Sequence, residues 1–430
     1  MTAKRRLRID TSPLKHSKDF RTLFVGDIIS FSGSMITYVA LPFQIAHLTG
    51  SYVAVGLLGV FELGPLVVFG LWGGALADAI DRRRMVLYTE MGFALLSTVL
   101  LVNALVPSPK VWVIYIVAML TATLDGLQRP SRDAIIPRIV HPDHLAGASA
   151  LNSIRWNFGS IVGPAIGGLI VAAAGVAAAY AVDVVTFLVS IYAVWRISSV
   201  PPSEHAPAPS LRGISDGLRY AFRRKDLLGT YAVDLAAMIF AFPVSLFPFI
   251  AAQWNSAWSL GMLYAAPAVG ALIATALSGW TQHVQRRGRA VLFAAIVWGL
   301  AIAAGGFAPN IWWLLVALAI AGAADMVSGL FRSLIWNLSI PDELRGRMAG
   351  VELLSYSIGP QLGQVRASFA AHRGGLRFSL VSGGLLAAGF AVIAAIALPA
   401  LWRFNDSTDE NVAAVLEERL KREADTPPVD

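Results

Sequence analysis

The chain has 430 residues, of which 56% are hydrophobic and 14% charged, and its mean hydropathy is +0.63. Soluble globular proteins carry about 25% charged residues, so this composition argues against an ordinary soluble enzyme and against a disordered chain. Lysine and arginine (34) exceed aspartate and glutamate (27) by 7, and the chain has no cysteine. The lack of cysteine excludes a disulfide framework, a thiolate metal site and a cysteine nucleophile.

The first 22 residues are polar and basic, and an apolar stretch from Leu23 to Leu48 follows them. That stretch is too long for the hydrophobic region of a signal peptide, and no small-residue cleavage site closes it. We therefore predict a first membrane helix that keeps the basic arm in the cytoplasm. The arm is expected to be solvated, although it could also bind anionic lipid headgroups.

Twelve apolar stretches, each near the ~20 residues that a membrane-spanning helix needs, predict an all-α membrane protein. The first six are Leu23–Leu48, Tyr52–Asp78, Met85–Val106, Val111–Ile136, Leu151–Ala174 and Ala177–Ile197. The second six are Leu227–Ala251, Ala257–Trp280, Ala290–Phe307, Ile311–Trp336, Met348–Ala371 and Leu376–Trp402. A proline-rich and then basic segment separates the two sets, which is the composition of a linker. The predicted organisation is an arm (1–22), a six-helix bundle (23–197), a cytoplasmic linker (198–226), a second bundle (227–403) and a cytoplasmic tail (404–430).

Basic residues are distributed unevenly between the two sides of these predicted spans. The opposite loops hold only Lys110, Arg373 and Arg377, whereas the arginines of the other loops and span ends lie on the side of the N-terminus. This asymmetry predicts that both termini are cytoplasmic. The arginines on the N-terminal side are Arg82, Arg83, Arg84, Arg132, Arg138, Arg286, Arg287, Arg289, Arg345, Arg347 and Arg403.

The chain also contains an internal repeat. The order Pro142-Asp-His-Leu-Ala-Gly147 and then Gly163-Pro164-x-x-Gly167 recurs as Pro341-Asp-Glu-Leu-Arg-Gly346 and then Gly359-Pro360-x-x-Gly363. Two six-helix pseudo-repeats in the same sense imply halves related by an axis normal to the membrane. That architecture suits a transporter whose halves rock about a central site.

The loop after the second span begins at Gly74, contains Asp78 and Asp81, and ends in Arg82, Arg83 and Arg84. It resembles the loop signature of the major facilitator superfamily, with Asp81 standing where glycine is usual and Ala79 where a basic residue is usual. The resemblance implies the major facilitator fold, and it implies that Asp78 docks near Met348 and holds the cytoplasmic side closed.

A second motif lies in the fifth span and consists of Gly159, Gly163, Pro164, Gly167 and Gly168. It resembles a signature of exporting members of the superfamily, and a plain helix-packing motif is the alternative interpretation. The stretch from Arg129 to Pro137 is similar to the enterobactin-exporter and macrolide-efflux-like branch. No substrate follows from either resemblance.

Four aspartates lie inside predicted spans, at equivalent places of the two repeats, and ionisable residues at that depth are functional candidates. They are Asp27, Asp125, Asp234 and Asp325, and the resemblance places their helices around the cavity. Arg129 follows Asp125 by one helical turn, and Arg332 follows Asp325 by two turns on the same face. We predict that Asp27, Asp125 and Asp325 couple proton flow to transport. Snorkelling of Asp27 and a structural pair of Asp125 with Arg129 are the alternatives.

These features predict a proton-coupled secondary active exporter, an antiporter of an amphipathic small molecule such as a drug or siderophore, in a bacterial inner membrane. The alternatives are a lysolipid or lipid translocator of the same fold and a non-transporting membrane sensor or scaffold. The sequence has no Walker loop, and its histidines fall in loops or near helix ends. We therefore expect no enzyme activity, cofactor, metal site or nucleic-acid partner, and we expect a monomer.

Overall fold

The computed structural model describes residues 10–201, 219–254 and 258–425. Within its helices, the side chains of residues 71, 73–79, 342–343, 345–347, 349–354, 356 and 418–425 lie outside the description. The described chain is built of helices and turns and contains no strand. The arm residues 1–9 and most of the predicted linker, residues 202–218, lie outside the described residues.

The helices of the first half begin with a short segment before the first long helix. They are α1 (Ser12–His16), α2 (Lys18–Thr49), α3 (Tyr52–Ala79), α4 (Arg82–Leu105), α5 (Val111–Ile139) and α6 (Leu145–Arg196). The second half contains α7 (Lys225–Ala241), α8 (Phe247–Gln253), α9 (Ser259–Ala276), α10 (Arg287–Gly305), α11 (Ile311–Ser339), α12 (Asp342–Ala397), α13 (Pro399–Arg403) and α14 (Glu410–Asp425).

Ten helical segments of the described chain are long and apolar enough to cross a membrane. Two of them, which contain α6 and α12, are interrupted at Gly175 and Gly375, where φ is 78° and 79°. Glycine adopts this left-handed region without the steric cost that a Cβ atom brings. Each of the two segments therefore holds two spans, and the ten segments make the twelve spans that the sequence predicts.

The helices pack into two compact units. The first contains Met1–Ala54, Phe61–Pro209 and Ala251–Ala265, and the second contains Val55–Val60, Ser210–Ile250 and Ala266–Asp430. Within the first unit, α2 packs along α6, and within the second unit α7 packs along α12. The second unit has an apolar core that includes Leu227, Leu292 and Phe331, all fully buried.

Two helix boundaries differ from the predicted spans in ways that matter for charged residues. α4 already begins at Arg82, and α5 continues to Ile139, so Arg132 lies inside a helix. Arg132 also lies inside the predicted fourth span, Val111–Ile136, and the helix continues three residues beyond that span. Hydropathy falls at the arginine-rich end of the predicted span, but a helix continues wherever tertiary contacts satisfy its polar side chains.

The seventh span is also less regular than predicted, because α7 ends at Ala241 and a 3-10 turn precedes α8. Pro243 lies at this break, and proline has no N–H to continue a helix. At the other end of the chain, α14 contributes the buried side chain of Val412 to the core of the second unit, and Val415 of the same helix is also buried.

Candidate functional site

Arg132 is at the centre of a charged cluster inside the first unit. Its Nη2 atom donates to Asp27 Oδ1 at 2.7 Å and to Glu90 Oε1 at 2.9 Å. Gln128, one turn before Arg132 on α5, donates from Nε2 to the same Glu90 oxygen at 3.0 Å. Asp27 is 6% exposed and Glu90 is 1% exposed. We call these residues, with Arg155, the Arg132 cluster.

The cluster joins three helices, because Asp27 comes from α2, Glu90 from α4 and Arg132 from α5. Arg155 of α6 adds a second cation, with its Nη1 atom 3.8 Å from Asp27 Oδ2. Two carboxylates and two guanidinium groups balance in charge. Ion pairing of this kind is what makes ionisable groups tolerable inside a membrane protein.

Arg155 also connects the cluster to an aromatic pair. Its guanidinium carbon lies 5.4 Å from the ring centroid of Phe31, and the Phe31 ring stacks on Trp156 at 4.9 Å. A cation held over a ring face is stabilised by the ring quadrupole. Phe31, which lies one turn after Asp27 on α2, therefore helps to position Arg155 beside the Asp27 carboxylate.

The second unit contains a smaller charged pair at an equivalent place of the repeat. Arg332 of α11 pairs with Asp234 of α7, and both side chains are nearly inaccessible to solvent. The Ser355 hydroxyl donates to Asp234 Oδ2 at 3.2 Å. We call Asp234 and Arg332 the Arg332 pair. In both units an arginine of the fourth helix of the repeat binds an aspartate of the first.

The other two predicted acids are arranged differently. Asp125 is exposed and forms no ion pair with Arg129, although Arg129 acts on it electrostatically. Asp325 is half-buried, and the arginine two turns along its helix is engaged with Asp234 instead. The structure therefore brings Asp27 and Asp234 into ion pairs and leaves Asp125 and Asp325 outside any ion pair of the described residues.

The loop before α4 docks onto the end of α6 and the first residues of the linker. Asp81 accepts a hydrogen bond from the backbone N–H of Arg84 at 3.0 Å and caps α4, and its other oxygen accepts from the Ser199 hydroxyl. Arg83 donates to the carbonyl oxygens of Val194, at 3.1 Å, and of Trp195.

Two further features complete this docking. The backbone N–H of Arg82 donates to the Val200 carbonyl at 3.0 Å. Partial burial acts to raise the pKa of Asp81, but the Ser199 and Arg84 hydrogen bonds outweigh it and lower that pKa below 3.8.

The side chains of Gly74 and Asp78 lie outside the described residues, so the predicted docking of Asp78 near Met348 stays a prediction.

The glycines of the predicted exporter motif lie where helices approach closely. A Cβ atom on Gly159, Gly163 or Gly167 would lie 2.2 Å, 2.5 Å or 2.9 Å from an atom of α2. A Cβ on Gly168 would lie 2.2 Å from the backbone nitrogen of Gly261 and 2.4 Å from its Cα atom. The motif thus allows backbone-to-backbone packing within the first unit.

Sequence reasoning missed the central role of Arg132 and did not name Glu90 as its partner. One signal was present in the repeat. Arg132 follows Asp125 by seven residues, and Arg332 follows Asp325 by the same spacing. An arginine repeated in register inside two apolar spans indicates a shared structural partner.

Known proteins resemble this chain over most of its length. The family described as transmembrane secretion effector matches residues 10–426. Enterobactin exporter EntS of Shigella boydii serotype 18 is 30% identical over 348 residues, which are 80% of this chain and 83% of that protein.

Solved transporter structures share the fold at low identity. A POT family transporter in complex with 5-aminolevulinic acid has a TM-score of 0.72 at 12% identity, covering 90% of this chain and 97% of that one. A bacterial homologue of the iron transporter ferroportin, in an inward-facing state, has a TM-score of 0.67 at 13% identity, covering 90% and 98%.

Proposed function

The chain belongs to the transmembrane secretion effector family of major facilitator transporters, and from that premise we propose that it exports an amphipathic small molecule in exchange for protons. Its membership makes it a multi-pass membrane transporter. The exchange for protons, the class of substrate and the orientation are our proposals. We place the protein in a bacterial inner membrane with both termini in the cytoplasm, as the arginine distribution predicts.

The Arg132 cluster is the observation that carries the proton-coupling proposal. Arg132 shares one guanidinium nitrogen between two buried carboxyl groups, Asp27 and Glu90. When one acid takes up a proton, its attraction for the guanidinium falls, and the other acid binds Arg132 alone. Because the acids belong to α2 and α4, protonation changes which helix is bound to α5.

The two acids outside the ion pairs complete the proposal. Asp125 is exposed and Asp325 is half-buried, and neither has an ion-pair partner among the described residues. Groups in such a position can exchange protons with water that enters from one side of the membrane. We propose that Asp125 and Asp325 are the acids that exchange protons with this water, and that Asp27 couples them to Arg132. We also propose that Asp78, together with the Arg82–Arg84 segment, gates the cytoplasmic side.

The relatives suggest which molecules to test first. Enterobactin is the compound in the name of a 30% identical exporter, and ethidium represents amphipathic cations. Full-length protein in everted membrane vesicles is energised until an acridine dye reports a proton gradient, and enterobactin or ethidium is then added. Proton-coupled exchange consumes the gradient and restores dye fluorescence, while vesicles without the protein do not respond.

Variants decide which acids take part. Asp125→Asn is expected to abolish the fluorescence response while the protein stays folded, and Asp27→Asn is expected to weaken it. Asp143→Asn, which changes an exposed loop acid of the same unit, serves as the matched control and should respond as the wild type does. Wild-type coupling in Asp125→Asn would remove that residue from the mechanism.

Movement of a fluorescent lysolipid in place of either compound would favour a lipid translocator, and no movement of any compound would favour a scaffold.

A further inference from the structure

A row of buried polar side chains follows one face of α6 after Gly175. Tyr180, Asp183 and Ser190 are all at most 1% exposed, and their spacing of three and seven residues places them on the same side of the helix. Tyr180 donates to Gln44 of α2 at 2.7 Å. This row lies within the first unit, between α6 and helices α2 and α4.

Asp183 is the ionisable centre of this row, and hydroxyl groups surround it. Thr37 of α2 and Ser97 of α4 both donate to its Oδ2 atom, at 2.6 Å and 2.8 Å. No lysine, arginine or histidine of the described chain forms an ion pair with it. The ionisable groups that act on or beside it are Tyr180 of its own helix and Glu90 of α4.

The two carboxyl oxygens of Asp183 differ in the hydroxyl hydrogens that are available to them. Thr186 has one hydroxyl hydrogen, and it donates this hydrogen to the Asp183 backbone carbonyl at 2.7 Å. The same hydroxyl oxygen lies 3.5 Å from Asp183 Oδ1. Oδ2 therefore has two donors that suit a carboxylate, whereas Oδ1 has room for a proton of its own, which Thr186 can accept.

The site is closed against lipid and against larger side chains. A Cβ atom on Gly33 would lie 2.0 Å from the Thr186 hydroxyl oxygen and 2.9 Å from Asp183 Oδ1. The α2 backbone therefore lies directly against the carboxyl group at this point. A buried acid with no cation beside it is costly as a fixed charge, which favours a group that can be neutral.

The row leads from Asp183 toward the Arg132 cluster. Ser190 lies two turns further along α6, about 10 Å at 1.5 Å per residue. Its side chain lies close enough to the Glu90 carboxyl to act on it electrostatically. Glu90 Oε2 and the Ser190 oxygen are both buried and have no hydrogen bond of ordinary geometry, whereas Glu90 Oε1 is occupied by Gln128 and Arg132.

We propose that Asp183 binds and releases a proton inside the first unit, and that the polar face of α6 carries protons between Asp183 and Glu90. This route is separate from Asp125 and Asp325, which have no ion pair with a described residue. It rests on the proton coupling proposed above, because without proton flow the row would only hold α2, α4 and α6 together.

Infrared spectroscopy of purified full-length protein in lipid nanodiscs tests proton binding without any substrate. In the wild type, a carboxylic-acid C=O band that disappears on raising the pH is expected, and this component is expected to be missing in Asp183→Asn. Asp143→Asn, the matched acid-to-amide control, should keep it. If Asp183→Asn retains the band with unchanged pH dependence, or if the wild type has no such band, the proposal is overturned.

Two milder variants test the proposal even if Asp183→Asn fails to fold. Thr37→Val and Ser97→Ala each remove one donor to Oδ2, which weakens the charged form, so the band should persist to higher pH in both. An unchanged midpoint in these variants would assign the band to another acid and contradict the proposal.

Transport separates this inference from the proposed function. In the everted-vesicle assay with ethidium, Asp183→Asn should lose the proton-driven response, and a full response would overturn the route to Glu90. If the wild type itself never consumes the gradient but the band behaves as expected, proton coupling fails as the function while proton binding by Asp183 is still supported.

Discussion

Arg332 of α11 forms its ion pair with Asp234 of α7, and not with Asp325, which lies two turns before it on its own helix. In the first unit, Arg132 likewise binds Asp27 of α2 and leaves Asp125 free of an ion pair. The two repeats therefore use the same pairing between their first and fourth helices. In both, the acid seven residues before the arginine has no ion pair with a described residue, and it is the acid that we propose to exchange protons.

Removal of Arg332 should destabilise the second unit strongly. Arg332→Gln leaves the buried Asp234 carboxylate without its cation, and breaking such a pair typically costs 3–5 kcal/mol, so we expect a loss of about 3 kcal/mol or more. Thermal unfolding of the purified full-length protein measures this loss. The double variant Arg332→Gln with Asp234→Asn should recover a large part of it, because no uncompensated charge then remains.

Arg129→Gln is the control for that measurement, because the Arg129 side chain is exposed and forms no ion pair with another described residue. We expect a change within about 0.5 kcal/mol. Equal losses in the two arginine variants would contradict the assignment of the Arg332 pair as a structural element of the second unit.

The sequence was sufficient to predict the twelve spans and the repeat, because continuous apolar stretches and recurring motifs are local features. The partners of the charged residues were not predictable in the same way. Arg132 lies where hydropathy falls, in a stretch that holds Arg129, Arg132 and Arg138, so composition alone makes it a boundary residue. Only the packing of α2 and α4 against α5 brings Asp27 and Glu90 to it.

Neutralising Glu90 should separate folding from proton coupling. Glu90→Gln keeps an oxygen that can accept from Arg132 and Gln128, and it leaves Arg132 paired with Asp27, so we expect a stability change of about 1 kcal/mol or less. In everted vesicles the proton-driven fluorescence response should be lost. Exchange of ethidium across the membrane of vesicles that have no proton gradient should continue. A normal proton-driven response would show that Glu90 holds Arg132 without taking part in coupling.

The docking of the loop before α4 should depend on pH through Asp81. Its pKa is lowered below 3.8 in the folded protein, so its charged form stabilises docking above that pH, and the contribution is lost as the pH falls through the lowered value. Hydrogen exchange of the Arg82 amide, which binds the Val200 carbonyl, measures docking.

Asp81→Ala should accelerate this exchange already at neutral pH, because both the Ser199 hydrogen bond and the α4 cap are removed. The wild type should show the same acceleration only in acid, after correction for the intrinsic pH dependence of exchange. Asp143→Ala should leave the Arg82 amide protected. Fast exchange in the wild type at neutral pH would contradict the docked arrangement.

The packing role of the glycine motif can be separated from a role in export by two alanine substitutions in the first unit. At Gly168 a Cβ atom would lie 2.2 Å from the Gly261 nitrogen and 2.4 Å from its Cα, and backbone atoms cannot move aside as a flexible side chain can. Gly168→Ala should therefore cost about 1–3 kcal/mol in thermal unfolding. At Gly64 a Cβ atom meets nothing within 4 Å, so Gly64→Ala should be neutral or stabilising by up to about 1 kcal/mol. If Gly168→Ala, tested well below its unfolding temperature, also loses the ethidium response, close approach at Gly261 is needed for transport, whereas full activity would make the motif a packing feature alone.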